Sequence, residues 1–127
     1  MTKFESLKKQ FEKSLNQFEK VLKKKKTEFI RDSAIKRFEL TFDIAWKLVK
    51  VILEEQKGIS CFSPKDCFRE AFRQKIIDAD PMWLKIVDLR NFSVHLYDEK
   101  FADDLYKRLP KILEMFKSLK EKIEELY

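Results

Sequence analysis

One long stretch decides the fold: residues 29–56 read FIRDSAIKRFELTFDIAWKLVKVILEEQ. Apolar side chains recur along it in steps of three and four, which is the pattern of an amphipathic helix that faces a core. The main apolar side holds Ile30, Ala34, Phe38, Phe42, Ala45, Val49 and Ile52, and it is widened by Ile35, Ile44, Leu48 and Val51. So broad an apolar face predicts a central helix with neighbours on two sides.

A second amphipathic helix is predicted before it, from about Thr2 to Lys24. Its apolar stripe consists of Leu7, Phe11, Leu15, Phe18 and Leu22. The helix ends in four consecutive lysines, residues 23–26, where cations are favoured by the carbonyl-rich end of a helix. This run is either a solvated helix terminus or a nucleic-acid contact, and the sequence leaves both open.

After the central helix the chain carries clear stop and start signals. Lys57-Gly58 predicts the stop, since glycine tolerates the left-handed conformation that ends many helices. Ser63-Pro64 predicts an N-cap with proline at the first helical position, opening a short helix that continues to Ile76, and Asp80-Pro81 repeats the signal. The helix that begins there passes through Trp83, Ile86 and Val87 and carries Arg90 and Asn91 towards its far end.

The last predicted helix begins at Asp98, which can cap it, and runs to the C-terminus. The three-and-four rhythm is kept by Phe101, Leu105, Leu109, Ile112, Phe116, Leu119 and Ile123. Pro110 falls inside the helix, and because a proline removes one backbone hydrogen bond we expect a kink or a break near Arg108.

Composition agrees with an all-α fold. The 127 residues include one glycine and three prolines, too few turn residues for a β-rich chain, and 44% of them are hydrophobic. We therefore expect a single domain over residues 1–127, an up-and-down bundle of four to five helices.

No apolar run reaches the roughly 18 residues that span a bilayer, and no apolar signal segment follows Met1, so we expect a cytoplasmic protein without a membrane partner.

The two cysteines, Cys61 and Cys67, flank a predicted turn. In a chain without an export signal we expect them to be reduced thiols. A structural zinc site usually needs four Cys or His ligands, and this chain has two cysteines and one distant histidine. We therefore expect neither a metal nor another cofactor. The net charge of +6 permits a polyanion such as RNA as ligand without identifying one.

A polar cluster, Arg90–Tyr97 (RNFSVHLY), stands out from this helical pattern and contains the only histidine, His95. Histidine can exchange a proton near neutral pH, and arginine can hold a phosphate through two parallel N–H bonds, so the pair suits phosphodiester chemistry without a metal. On one ideal helix the two side chains would point about 140° apart. They can converge only if the helix ends between them or if a second copy of the chain completes the site. The alternative is a polar helix end without catalytic function.

Three segments in this order resemble the HEPN superfamily, and specifically the nucleotidyltransferase substrate-binding proteins that are paired with minimal nucleotidyltransferases. The polar cluster is similar to its R-x4-H-x-Y signature, Arg37–Lys47 (RFELTFDIAWK) is similar to its RFE-x-T helix ending in AWK, and Ser63-Pro64 followed by Arg69–Phe72 (REAF) is similar to its third motif. The resemblance covers most of the chain.

This resemblance implies a two-fold homodimer in which the polar clusters lie near a cleft between the subunits. Many HEPN proteins are metal-independent RNases. Carried across, His95 is the proton-transfer group, Arg90 the phosphate clamp, and Asn91 a residue that orients one of them. Tyr97 matches a tyrosine that some partner nucleotidyltransferases adenylylate, which adds bulk and negative charge beside Arg90. Its alternative role is that of an amphipathic residue at a helix junction.

Three supporting residues each have two possible roles. Asp98 matches the family's YDE continuation, although capping the last helix explains it at least as well. Arg37 and Glu39 form either a buried pair that supports Arg90 or part of a surface that faces the nucleotidyltransferase.

Two functions follow from the resemblance: a metal-independent RNase toxin silenced by a nucleotidyltransferase, or a non-catalytic substrate-binding subunit of a two-component nucleotidyltransferase.

Overall fold

The computed structural model describes residues 1–78 and 81–127, and all the regular secondary structure in this part of the chain is helical. Its five α-helices are α1 (Lys3–Leu22), α2 (Glu28–Lys57), α3 (Pro64–Arg73), α4 (Met82–Phe92) and α5 (Glu99–Leu126), with a 3₁₀ turn at Ser93–His95. The predicted all-α bundle is therefore confirmed. Within the described ranges, no helix is long and apolar enough to cross a bilayer.

Helix starts lie where the sequence signals them. The side chains of Thr2, Thr27, Ser63 and Asp98 each accept a hydrogen bond from the backbone N–H three residues later, which satisfies a donor that the first turn leaves unpaired. Gly58 closes α2 with a φ of 65°. The start signal at Asp80 lies outside the described residues.

Helix α2 is the centre of the bundle and contacts each of the other four α-helices. It is antiparallel to α1, since Ser14 bonds Thr41 at 2.7 Å and the Phe18 ring lies beside Phe38. Aromatic rings fill the core, and the tightest pair stacks Phe68 on Trp83 at 4.7 Å between centroids. The fully buried rings are Phe11, Phe18, Phe38, Phe42, Phe68 and Phe116. The broad apolar face predicted for α2 is thus buried against several neighbouring helices.

One sequence-based expectation about the chain is wrong, and one of the two alternatives expected near Pro110 is excluded. Cys61 and Cys67 form a disulfide with a Cα–Cα distance of 5.2 Å, because the first turn of α3 folds back beside the preceding segment and both residues are buried. The break expected near Arg108 is also absent, since α5 continues through Pro110. Buried Leu109 and Ile112 hold the helix to the core on both sides of the proline, and this packing offsets the lost backbone bond and the steric clash with the preceding turn.

A buried arginine ties the start of α5 to the start of α2. Arg31 is 3% exposed, and its guanidinium donates to Asp32 at 3.0 Å, to Glu99 at 2.6 Å and to Asp103 at 3.2 Å. Lys26 adds a second bond to Asp103 at 3.0 Å. Because Glu99 and Asp103 lie in the first turns of α5, this network fixes the helix immediately after the polar cluster.

Candidate functional site

The polar cluster forms the connection between α4 and α5. Arg90 lies in the last turn of α4, the 3₁₀ turn Ser93–His95 follows, and α5 begins after the cap at Asp98. The helix therefore ends between Arg90 and His95, as convergence of the two side chains requires. They nevertheless have different partners, and no hydrogen bond joins them in the described part of the chain.

Arg90 points inward to α2. Its Nε and Nη2 donate to the two carboxylate oxygens of Asp43, each at 3.1 Å, and its Nη1 donates to Glu39 at 2.8 Å. Buried Ser93 also donates to Glu39, at 2.8 Å. The hydrogen bond and charge of Asp43, together with the charge of Glu39, raise the pKa of Arg90 above its usual value despite partial burial. Arg90 is therefore held in one position as a permanent cation.

This arrangement limits what Arg90 can offer a ligand. The two-pronged edge that would suit a phosphate already binds Asp43. A guanidinium has five N–H groups, and one on Nη2 has no acceptor among the described residues. Two carboxylates also face one cation, so the Arg90, Asp43 and Glu39 cluster carries a net charge of −1.

His95, in contrast, faces solvent. Its Nδ1 lies 2.7 Å from the Tyr97 hydroxyl, and the two rings meet edge to face at 5.4 Å. Within the described residues Nε2 has no hydrogen-bond partner. The Phe92 ring lies on the other side of the histidine at 6.4 Å. One ring nitrogen is thus oriented by a neighbour and the other is accessible, which is the arrangement that proton transfer to a ligand requires.

The other predicted site residues do not form one cluster with Arg90 and His95. Asn91 is exposed, and its side chain makes no hydrogen bond in the described part of the chain. Asp98 accepts from the backbone N–H of Phe101 at 3.1 Å, which is its capping role. Glu39 supports Arg90, as one of the two alternatives stated, but its predicted companion Arg37 is exposed and lines a groove between α1 and α2.

Sequence reasoning missed Asp43 and Ser93 as partners of this cluster. A signal for Asp43 was present, because it lies four residues after Glu39 and such residues share a helix face. Ser93 carried no comparable signal. Its hydroxyl accepts from Arg90 and donates to Glu39 only because the 3₁₀ turn directs it inward.

Within the described residues, the structure is a five-helix bundle with an arginine, a histidine and a tyrosine on the connection before its last helix. Residues 5–125 match the family described as "Nucleotidyltransferase substrate binding protein like". This chain belongs to that family.

Individual relatives agree with this assignment. A Thermus thermophilus protein of known crystal structure is 30% identical and superimposes with a TM-score of 0.82 over 86% of this chain and 94% of that one. A Haemophilus influenzae protein, described as showing the fold of a substrate binding domain of a nucleotidyltransferase, is 23% identical with a TM-score of 0.70 over 95% and 96% of the two chains. This second likeness shows the fold alone.

A curated relative from Haemophilus influenzae is named "Probable ribonuclease HepT". It is 30% identical to this chain over 84 residues, which are 63% of this chain and 58% of the relative. The match therefore spans less than two thirds of that protein.

Proposed function

We propose that this protein is a metal-independent endoribonuclease that acts as a homodimer and is silenced by a minimal nucleotidyltransferase. The observation that carries the proposal is the exposed His95, whose Nδ1 is held by Tyr97 while Nε2 is open to a ligand. The name of the Haemophilus influenzae relative supports the same activity. RNA is the substrate class because its ribose 2′-hydroxyl provides an internal nucleophile.

The chemistry needs one proton removed and one delivered. The 2′-oxygen attacks the adjacent phosphorus while a base takes the 2′-hydroxyl proton, and the P–O5′ bond breaks while an acid protonates the leaving 5′-oxygen. The products are a 2′,3′-cyclic phosphate and a free 5′-hydroxyl. When Nδ1 donates to the tyrosine oxygen, neutral His95 has a lone pair on Nε2 and can act as the base. The imidazolium keeps the same Nδ1 bond and carries a second proton on Nε2, which it can deliver as the acid.

A dimer would supply both forms at once. Phe92 is 57% exposed, Val94 65% and Tyr97 79%, and together they place an apolar surface around His95. A contiguous apolar surface of this kind is typical of an interface. In a two-fold pair the same patch contacts its copy, so two histidines approach one cleft and one acts as base while the other acts as acid.

The dimer has a direct test in Phe92→Asp, which places a charge in the patch. We expect this variant to sediment as a monomer and to lose cleavage, while the matched control Phe62→Asp, at a phenylalanine that is 83% exposed elsewhere, leaves both unchanged. A wild-type protein that sediments as a monomer at all concentrations contradicts the dimer.

Arg90 fits this mechanism as a positioning and charge-stabilising residue. Its bonds to Asp43 and Glu39 fix the last turn of α4, and its remaining Nη2 N–H is available to one non-bridging phosphate oxygen. Asn91, one residue further along, is exposed and free to contact the same phosphate. Silencing by a nucleotidyltransferase would act on Tyr97, whose exposed hydroxyl is the group that orients His95.

The activity is tested by incubating the purified protein with RNA in the presence of a chelator. We expect cleavage that leaves a cyclic phosphate and that is lost in His95→Ala, because no other side chain of the chain replaces the imidazole. The control Val94→Ala changes the neighbouring exposed residue and retains activity. Cleavage that persists at the wild-type rate in both His95→Ala and Arg90→Ala removes the mechanism.

The second candidate function is a non-catalytic substrate-binding subunit of a two-component nucleotidyltransferase. One observation favours it: the phosphate-binding edge of Arg90 is occupied by Asp43, and the cluster around it carries a net negative charge. This function predicts a stable complex with a nucleotidyltransferase and no nuclease activity. Growth arrest on expression of this chain alone, relieved by His95→Ala, speaks for the RNase.

A further inference from the structure

The positive charge of this protein is concentrated in one short segment. Residues 20–37 contain eight lysines and arginines and two acidic residues, a surplus of six. The rest of the chain contains twenty basic and twenty acidic residues, so this segment accounts for the whole net charge of +6. The end of α1, the following turn and the start of α2 thus create the dominant electrostatic field of the molecule.

Part of this charge lines an open groove between α1 and α2, of about 620 Å³. Lys20, Lys23 and Lys24 contribute from the end of α1 and Arg37 from α2, while Gln17 and Ser33 add an amide and a hydroxyl. Among the residues that the structure describes, no acidic side chain lines the groove. A groove of this size accommodates part of a polymer or a small ligand. Beside apolar Val21 and Ile30, its lining consists of polar side chains that can donate hydrogen bonds, the kind that contact phosphate oxygens in nucleic-acid complexes.

The cations of the groove are also unpaired. In residues 1–78 and 81–127, no carboxylate lies within ion-pair distance of Lys20, Lys23, Lys24 or Arg37. The nearest acidic neighbour in α1, Glu19, is bound by Lys117 of α5. In the same segment Arg31 is buried among carboxylates of α2 and α5 and Lys26 pairs with Asp103, so the fold neutralises two cations and leaves the four in the groove available.

An exposed aromatic ring lies next to the groove. Phe29 is 83% exposed, and it precedes Ser33 and Arg37 by four and eight residues, which places all three along one side of α2. The packing of the chain does not explain so exposed a phenylalanine at the start of a helix. A basic groove beside an exposed aromatic ring is the combination that binds single-stranded nucleic acid, through backbone contacts and base stacking.

We infer that the α1–α2 groove binds the phosphate backbone of single-stranded RNA, with Phe29 stacking on a base. The inference takes RNA as the ligand and in this respect rests on the proposed function. An acidic protein surface fits the groove less well, because lysine is depleted at the centre of protein interfaces while here it supplies three of the eight lining residues. The groove is distinct from the α4–α5 connection: Arg37 projects from the opposite side of α2 to Glu39, which holds Arg90.

The inference is tested by RNA binding in the His95→Ala background, which prevents cleavage. The probe is a fluorescein-labelled oligouridylate, and its affinity is measured by anisotropy across a salt series. The groove variant Lys23→Gln/Lys24→Gln/Arg37→Gln is compared with Lys107→Gln/Arg108→Gln/Lys111→Gln, which removes the same charges from exposed positions of α5 outside the groove. All six residues are exposed, and unchanged circular dichroism and unfolding midpoint show that the variants fold.

We expect the groove variant to bind on the order of ten-fold more weakly and to lower the salt slope by about 2, since each lost phosphate contact removes about 0.7. The α5 variant should match the parent. Phe29→Ala should weaken binding about ten-fold without changing the slope, because stacking releases no counterions. Equal losses in the groove and α5 variants overturn the inference, and so does unchanged RNA binding in the groove variant, which leaves an acidic protein as the ligand. RNA binding through the groove by a wild-type protein that cleaves nothing supports the inference and refutes the proposed RNase.

Discussion

Replacing Arg31 with methionine tests how the start of α5 is held. The methionine keeps much of the buried apolar volume but removes three hydrogen bonds, to Asp32, Glu99 and Asp103. A bond between charged groups contributes about 1.5–3 kcal/mol when both are buried. The acceptors here are 41%, 64% and 41% exposed, so water compensates them in part and we assign about 1 kcal/mol to each bond.

Arg31→Met also removes the cost of burying a guanidinium, and this gain offsets part of the loss of three hydrogen bonds. The net loss in the free energy of unfolding is then about 2 kcal/mol. In a domain of this size the loss lowers the melting temperature by roughly 8 °C. Arg31→Lys should fall between the wild type and Arg31→Met, because a single ammonium cannot reproduce the planar fork.

The measurement is urea unfolding, with Arg108→Met as the control because Arg108 is exposed and forms no ion pair in the described residues. That control should stay within about 0.5 kcal/mol of the wild type. Amide exchange over residues 93–98 should also accelerate in Arg31→Met, because the network fixes the helix that follows them. A variant as stable as the wild type, with unchanged exchange, would refute the anchoring role of Arg31.

Three further predictions concern stability. Gly58→Ala should cost about 1 kcal/mol in urea unfolding, because Gly58 has a φ of 65° and alanine is strained there even though no atom of the described residues lies within 4 Å of its added methyl group. Replacing Cys61 and Cys67 together by serine should cost about 2 kcal/mol in the chain-entropy account, and reductant should then have no further effect on the melting temperature. Bonds from Lys26 and Arg31 hold the pKa of Asp103 below its ordinary 3.8. The contribution of these bonds to stability is therefore present above pH 3.8 and is lost as the pH falls through the lowered pKa. In Asp103→Asn the unfolding midpoint, measured from neutral to about pH 3, should change less on acidification than in the wild type.

The sequence predicted the helices well because local signals determine them. The apolar rhythm of residues 29–56 and the caps at Ser63 and Asp98 act over a few positions, and the structure uses them as predicted. The disulfide and the unbroken helix α5 have non-local causes. Whether Cys61 meets Cys67 depends on how α3 folds back, and the effect of Pro110 depends on packing against the core.

The sequence predicted which residues lie at the connection between α4 and α5, but it did not predict the side chains that they contact. The motif singled out Arg90, His95 and Tyr97, and the structure places all three at one helix connection. Side-chain direction, however, is set by tertiary contacts: Arg90 turns towards Asp43 and His95 turns to solvent. Because both outcomes depend on how α4 meets α2, spacing along the chain could not distinguish them.

The His95–Tyr97 hydrogen bond makes the tautomer of the neutral ring depend on one phenolic hydrogen. An ester on the tyrosine oxygen would eliminate that hydrogen, and the oxygen could then only accept. Neutral His95 would be confined to the tautomer protonated on Nδ1, with a lone pair on Nε2. One covalent change at Tyr97 would thus fix the tautomer of a neighbouring histidine without moving the backbone.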